Sequence, residues 1–464
     1  MNLVQLYTVK VNNTRSKLIV IGGGLAGAEA AWQAAIRGIE VDLYEMRPKV
    51  QTGAHQSDQL AELVCSNSLG SNLPDRASGV LKNELRALNS MLMRCADETA
   101  VPAGGALAVD RELFAQKVTD ELKHNPKIKI IRKEMTGVPK EATIIASGPL
   151  TSPKLSEAIQ ELTGYEHIFF YDAIAPIIYK DSIDLEIAYQ ASRYGKESDG
   201  SDGDYINCPL NKEQYYKFVD ALIRAERIEL KEFENNIHEG VLGGAVKFFE
   251  GCLPIEIIAK RGIDALAYGP MRPVGLTDKR TGKHSYAVVQ LRQDNLAKTL
   301  YNLVGFQTNL KFSEQKRIIR MIPGLEKVEF ARYGQMHRNT FIFSPALLKE
   351  TLQYKYRDDL FFAGQITGVE GYLGNVATGL LAGWNAANYI LGKPLLQIPT
   401  GTIIGALCSY ITHTEARDFQ PMKANFGILP DLDRKIRGKR DRAAAFAARS
   451  NLQLTAFLRD NRDK

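Results

Sequence analysis

The sequence predicts an α/β protein: a parallel sheet with flanking helices, built from both ends of the chain, with a mixed α/β domain inserted between its halves. Three stretches carry that expectation. Lys17 to Ile21, KLIVI, is a short apolar run closed by glycines, as expected of a strand buried on both faces. The alanine-rich stretch AGAEAAWQAAIR after it has helical composition, with Gly38 just past its end, and IEVDLYE at 39–45 reads as the next strand. Buried-strand character returns at ATIIASG, 142–148, and again much later at DLFFAG, 359–364. Strand, helix and strand in that order make a parallel βαβ unit. The late return of the last run calls for an insertion.

At 464 residues the chain has room for two or three domains, each with a real core. Residues 1–16 lack the apolar core of a signal peptide and read as an N-terminal extension. Residues 17–200 are expected to form the first part of the parallel-sheet domain. Residues 201–344 would be the inserted domain, and 345–464 the second part with a basic tail. A helix is expected from Leu113 to about Leu122, then the strand KIKIIR; SRYGKESDGSDGDY, 192–205, is polar and glycine-rich and reads as an exposed loop. The stretch 360–391 carries Glu370 as its only charge and is long enough to suggest a membrane span. Gly364, Gly368, Gly371, Gly374 and Gly379 interrupt it, so it reads as a strand, a glycine loop and a core helix. No membrane segment is expected.

The glycines between the first strand and the first helix carry the first chemical signal. GGGLAG comprises Gly22, Gly23, Gly24, Leu25, Ala26 and Gly27, with the spacing G-x-G-x-x-G. Gly22 allows a tight turn, Gly24 lets backbone approach a pyrophosphate, and Gly27 lets the helix pack on the strand. Phosphates would sit at the helix N-terminus, where free N–H groups and the dipole favour negative charge. Glu45, about twenty residues on, is placed to accept ribose hydroxyls. FAD fits better than NAD. ATIIASG, ending at Gly148, is similar to the second nucleotide-contact segment of two-domain flavoproteins, and LFFAGQ, with Gly364 and Gln365, is similar to the third. Gln365 stands where those chains usually carry an acid. A helix after Gly374 is expected to aim its N-terminus at the flavin pyrimidine ring. The domain is therefore expected to be a Rossmann-like FAD-binding domain.

Five cysteines, at 65, 95, 208, 252 and 408, form no CxxC pair and no metal-finger spacing. Their number and spacing argue against a disulfide scaffold and against zinc, and for a reducing, cytoplasmic compartment. His284 and His337 have no partners at metal-ligand spacing, so no metal site is expected. Two thiols stand apart. Cys65, in ELVCSNSLGS, lies on a polar turn. Cys252, in FFEGCLPIEIIAKRG, precedes an expected helix with Pro254 in its first position, Lys260 and Arg261 in its last turn and Gly262 beyond. A helix N-terminus favours the thiolate. A small buried hydrophobe is the other reading of a free cysteine, and it suits Cys95, Cys208 and Cys408 better. Net charge of +6 permits a polyanionic partner, and RKIRGKRDR, 434–442, packs six cations. Arg292, Lys311, Arg332 and Arg338 interleave with Tyr301, Phe306, Phe312 and Tyr333, a pattern that suits RNA and an ordinary half-buried surface alike.

Longer strings then become specific. GGGLAGAEAAW, YEMRP, LVCSNSLGS, VPAGGALAVDRELF, FFEGCLPIEIIAKRG, GPMRPVGL, VVQLRQDN, RYGQMHRNTF and LFFAGQITGVEGYLGNVATG occur in this order. From about Lys17 to about Ala387 the chain resembles the folate- and FAD-dependent tRNA (uracil-5-)-methyltransferases, relatives of the flavoproteins that modify wobble uridines. The resemblance implies methylation of C5 of the T-loop uridine in the tRNA T-arm. Carbon would come from 5,10-methylenetetrahydrofolate and electrons from NAD(P)H through FAD. It also places the functional cysteines at Cys65, near the flavin, and at Cys252, in the inserted domain. The family often has an acid-then-small pair where this chain reads Gly374-Asn375. In that chemistry a thiolate adds to C6 of uracil, which makes C5 nucleophilic, and a second group removes the C5 proton. Cys252 suits the first task and Cys65 the second. Alternative readings are the same chemistry on a ribosomal RNA uridine, a wobble-uridine enzyme working with a partner protein, and an RNA-binding flavoprotein without catalysis.

Overall fold

The structure, a computed structural model, describes residues 17–165, 168–195, 203–228, 253–278, 280–282, 284–416 and 418–461. Five parallel strands run side by side in the order Leu360–Phe362, Thr143–Ile145, Lys17–Ile21, Glu40–Glu45 and Ile128–Arg132. The first strand is central because it is apolar throughout its middle; Leu18 and Val20 are fully buried. From it the chain steps outward to one side first and to the other side later. That is a topological switch point, where the loops at the carboxyl ends of the strands diverge and leave a crevice.

The two halves of this domain are held together by one helix pair. Leu25–Ile36 packs along Tyr372–Ile390, and a Cβ added at Gly379 or Gly383 would strike the backbone of Ala26 or Ala30. Small residues on both helices let the backbones approach this closely. Nearly every residue of Leu25–Ile36 is buried, which explains its mostly apolar composition; its two polar residues, Glu29 and Gln33, are buried as well, with Gln33 donating to Glu29 at 2.8 Å. The helix Tyr372–Ile390 starts earlier than expected. Gly371, at φ +82°, is its N-cap, so Gly374 lies in the first turn and not before it. The reason is packing: a side chain at 374 would strike Val369.

The inserted part is organised around six antiparallel strands in the order Tyr189–Gln190, Tyr205–Leu210, Ala287–Gln293, Leu300–Leu303, Ile177–Tyr179 and Phe330–Arg332. The expected boundary at residue 201 falls inside this sheet, between its first two strands. Tyr215, Phe218, Val289, Leu291 and Leu303 belong to a core of its own. An antiparallel ribbon, Ile168–Ala173 with Met336–Phe341, carries the chain into and out of this part at neighbouring points. The polar turn holding Cys65 leads into a small sheet of Ser68–Ser71, Ala106–Val109 and Ala100–Val101.

Candidate active site

A cleft opens at the carboxyl ends of the parallel strands. Gly22, Gly23, Gly24, Leu25, Ala26, Glu45, Gly148, Gly364 and Gln365 all line it. Gly27 does not. It lies beneath the turn, against the carbonyl of Gly22, where no side chain fits. Gly22 itself has φ +107° and would meet the Ala146 carbonyl if it carried a Cβ. Around Gly24 and Gly148, in contrast, the space is open. The glycine turn is thus tight on its protein side and clear on its cleft side, as a backbone that receives a phosphate must be.

Glu45 stands in the expected place but is already engaged. A carboxylate has about four acceptor positions. The Arg47 N–H and Nε–H both reach Oε1 at 3.0 Å, while the Gly23 N–H at 3.0 Å and the Arg47 Nη2 at 3.2 Å reach Oε2. Burial works to raise its pKa, but the hydrogen bonds and charge of Arg47 outweigh it and hold the carboxyl below its ordinary range. A ribose hydroxyl would have to share this carboxylate with Arg47. Arg47 also pairs with Glu62 at 3.2 Å, and burial, followed by the charge of Arg47, pushes the neighbouring His55 down to about 4. Neither role could be read from the string YEMRP. Gln365 donates to Glu370 at 2.7 Å, so a carboxylate stands five residues after the position where two-domain flavoproteins usually carry an acid. Asn375 lines the cleft with its Oδ1 buried and without a hydrogen-bond partner.

A second cleft holds Cys65, and Gly374 is on its wall. It shares Val64, Pro149, Leu150, Gln365, Tyr372 and Asn375 with the first, so the two are continuous. The turn that carries the thiol is polar, yet it is clamped. The N–H groups of Cys65 and Ser66 both donate to the Tyr372 hydroxyl, at 2.8 and 3.0 Å. Burial raises the phenol pKa, so Tyr372 stays protonated. Arg292 donates to Ser66 Oγ at 2.7 Å and to Asn67 Oδ1 at 2.9 Å, while Asn67 donates to the carbonyls of Val109 and Gln293 at 2.9 Å. The small polar residues around Cys65 are therefore the hydrogen-bonding groups that tie this turn to the second sheet.

Arg292 and Arg332 do not form an exposed basic surface. They are 7% and 9% exposed, and Arg332 donates to the Ala54 carbonyl at 2.9 Å. Arg111, also buried, pairs with Asp294 at 2.9 Å and donates to the Leu63 carbonyl. Three guanidinium groups thus surround the Cys65 turn, and among the described residues only that of Arg111 has a carboxylate partner. Lys311 pairs with Glu226 at 2.6 Å, and the side chain of Arg338 lies outside the described residues. Cys252 lies outside them as well. The helix after it runs only from Ile255 to Ala259, with Pro254 as its N-cap and not its first residue, and Lys260 is already the C-cap. Cys95, Cys208 and Cys408 are buried, and burial drives their pKa upward, to about 12 for Cys95 and Cys408. They are the inert thiols. Among the described residues Cys65 is the one cysteine that is not fully buried.

Among the described residues no helix is long and apolar enough to cross a membrane. The family model described as glucose inhibited division protein A matches residues 17–394. A protein of Anoxybacillus flavithermus named methylenetetrahydrofolate--tRNA-(uracil-5-)-methyltransferase TrmFO is 56% identical over 443 residues, covering 96% of this chain and 99% of its own. A protein of the same name from Bacillus velezensis is 56% identical over 93% of this chain and 96% of its own. The crystal structure of GidA from Aquifex aeolicus superposes with a TM-score of 0.66 at 17% identity, over 95% of this chain and 73% of that one, which establishes the shared fold. On these matches the chain belongs to the glucose inhibited division protein A family, in its methylenetetrahydrofolate--tRNA-(uracil-5-)-methyltransferase branch.

Proposed function

We propose that this protein methylates C5 of the T-loop uridine of tRNA in the cytoplasm, with 5,10-methylenetetrahydrofolate as carbon donor and FAD, reduced by NAD(P)H, as hydride source. The observation that carries the reading is the position of Cys65, on a clamped turn where two continuous clefts meet. The first cleft fits FAD. Gly24 and Gly148 leave it open, the glycine turn presents backbone to it, and Asn375 Oδ1 is an acceptor without a donor. Bound there, the flavin would supply the hydride that turns the transferred one-carbon unit into a methyl group.

The remaining steps fall to the chain itself. Uracil C5 is a poor nucleophile until a thiolate adds to C6, and Cys252 is assigned that addition. C5 then bonds to the folate methylene carbon and loses its proton as the carbon–nitrogen bond to folate breaks and tetrahydrofolate leaves. Addition of hydride to the resulting exocyclic methylene expels the Cys252 thiolate from C6. Cys65 is assigned as the base, and a base must be fixed within hydrogen-bond reach of the proton it takes. Tyr372, Arg292 and Asn67 fix the turn that carries it. The relatives' shared name favours tRNA over the ribosomal and non-catalytic alternatives. The test is incubation with labelled 5,10-methylenetetrahydrofolate, NAD(P)H and unmodified tRNA, followed by mapping of the labelled nucleoside. Label in 5-methyluridine of the T-loop is expected. Label elsewhere, or none while the flavin is still reduced, would sink the reading.

A further inference from the structure

The basic string near the C-terminus takes a definite place in the fold. Met422–Lys423 pairs with Val369–Glu370, and Lys423 and Ala424 line the cleft that holds Cys65. From there the chain passes Phe426, stacked on Phe446 of the helix Lys439–Asp460 with ring centroids 5.4 Å apart. Arg449 of the same helix donates to the carbonyls of Pro430 and Asp431, at 2.7 and 2.8 Å. The inner face of this helix is buried through Ala443, Phe446, Ser450, Leu454 and Phe457, and Phe457 meets Trp384 edge-on. The stretch 431–442 is therefore an arch tied down at both ends. Its helical end, Lys439, is about 10 Å along the axis from Phe446.

Arg434, Lys435, Arg437, Lys439, Arg440 and Arg442 are all exposed on this arch. The neighbouring carboxylates are Asp431, Asp433 and Asp441, and Asp441 turns back onto the helix start, with Oδ2 3.0 Å from where a Cβ of Gly438 would be. Among the described residues no ion pair joins any of the six cations to a carboxylate. Crowded, unpaired like charges repel one another, and a polyanion relieves that repulsion by releasing its own counterions. The arch also lies beyond residue 394, where the match to the glucose inhibited division protein A model ends.

We propose that the arch Arg434–Arg442 grips the phosphodiester backbone of the substrate RNA, on the segment of chain that leaves the Cys65 cleft at Lys423 and Ala424. This rests on the reading of the protein as an RNA methyltransferase. The test measures binding and methyl transfer separately. Binding of an unmodified tRNA transcript is followed by fluorescence anisotropy across a salt series, for the wild-type protein and for a variant combining R434Q, R437Q, K439Q and R440Q. The variant is expected to bind at least about tenfold more weakly at low salt. Its log–log salt slope should be shallower by about 0.7 to 0.9 for each phosphate that is no longer neutralised. Its melting temperature and its NAD(P)H oxidation without RNA should be unchanged. Equal affinity and slope in both proteins would overturn the inference and leave a solvated surface. Methyl transfer by wild-type protein tests the parent reading: its absence with a steep wild-type salt slope removes that reading alone.

Discussion

Gly22 and Gly24 stand on one turn, and substitution should affect them in opposite ways. Gly22 has φ +107° and faces the Ala146 carbonyl, so Gly22→Ala combines a strained backbone with a backbone clash. Strain of this kind costs on the order of 1–3 kcal/mol before the clash is counted, and the melting temperature should fall by several degrees. Gly24 has φ −74°, which any residue adopts, and open space where a side chain would go. Gly24→Leu should therefore fold with a near-normal melting temperature and purify without flavin. Flavin absorbance measured beside thermal unfolding checks both, and a fully yellow Gly24→Leu protein would remove the cleft assignment. Tyr372→Phe probes the clamp. It deletes the acceptor of two half-buried N–H groups, at Cys65 and Ser66, and each lost hydrogen bond costs about 0.5–1.5 kcal/mol net. Stability should drop by about 2 kcal/mol, Cys65 should alkylate faster, and methyl transfer should fall at least about tenfold. Alkylation at the wild-type rate would show that Tyr372 does not hold the turn.

At the scale of elements, Glu84 is the joint between three helices. It sits in Ala77–Ala87, accepts the N–H groups of Ile403 and Ile404 at the start of Ile403–His413, and accepts the Ser450 hydroxyl from Lys439–Asp460. Burial raises its pKa to about 7, against partial relief from those hydrogen bonds. The folded protein therefore holds a proton that the unfolded chain releases near 4.5. Stability contributed this way is full below that value and is lost as pH rises towards 7. The loss amounts to roughly 3 kcal/mol at about 1.36 kcal/mol per unit. Glu84→Gln should lower stability by a pH-independent amount and abolish this part of the slope, so the wild-type advantage should shrink from about pH 5 to about pH 7.5 in urea titrations. A constant difference across that range would mean that Glu84 does not titrate there. Elements also differ in how far the sequence reveals them. Glycine spacing and the apolar run Leu18 to Ile21 of the first strand expose the βαβ unit, because both follow from local geometry. The second sheet is obscured because its strands bury polar side chains such as Asn207, Gln290 and Arg292, which blurs the alternation that marks a strand. The start of Tyr372–Ile390 is hidden because Gly371 and Gly374 look alike in sequence, and only the packing against Val369 separates one role from the other.

Across the whole molecule, the parallel-sheet domain and the inserted sheet meet at the Cys65 turn. Tyr372 holds it from one side, 307 residues away in sequence, and Arg292 from the other, 226 residues away. Partners that distant leave no local pattern, which is why ELVCSNSLGS reads as a loose turn and folds as a clamped one. The proposed chemistry gives two thiols different tasks, one adding to C6 and one removing the C5 proton. Their order can be read directly with a T-arm RNA carrying 5-fluorouridine at the target position, because fluorine does not leave as the proton does. Incubated with 5,10-methylenetetrahydrofolate and NAD(P)H, wild-type protein and Cys65→Ala should both form a covalent protein–RNA complex that survives denaturing electrophoresis. Cys252→Ala should form none while keeping its flavin, and neither variant should methylate unmodified tRNA at more than a small fraction of the wild-type rate. Trapping by Cys252→Ala at the wild-type level, with none by Cys65→Ala, would contradict the assignment of Cys65 as the base on which this account of the site depends.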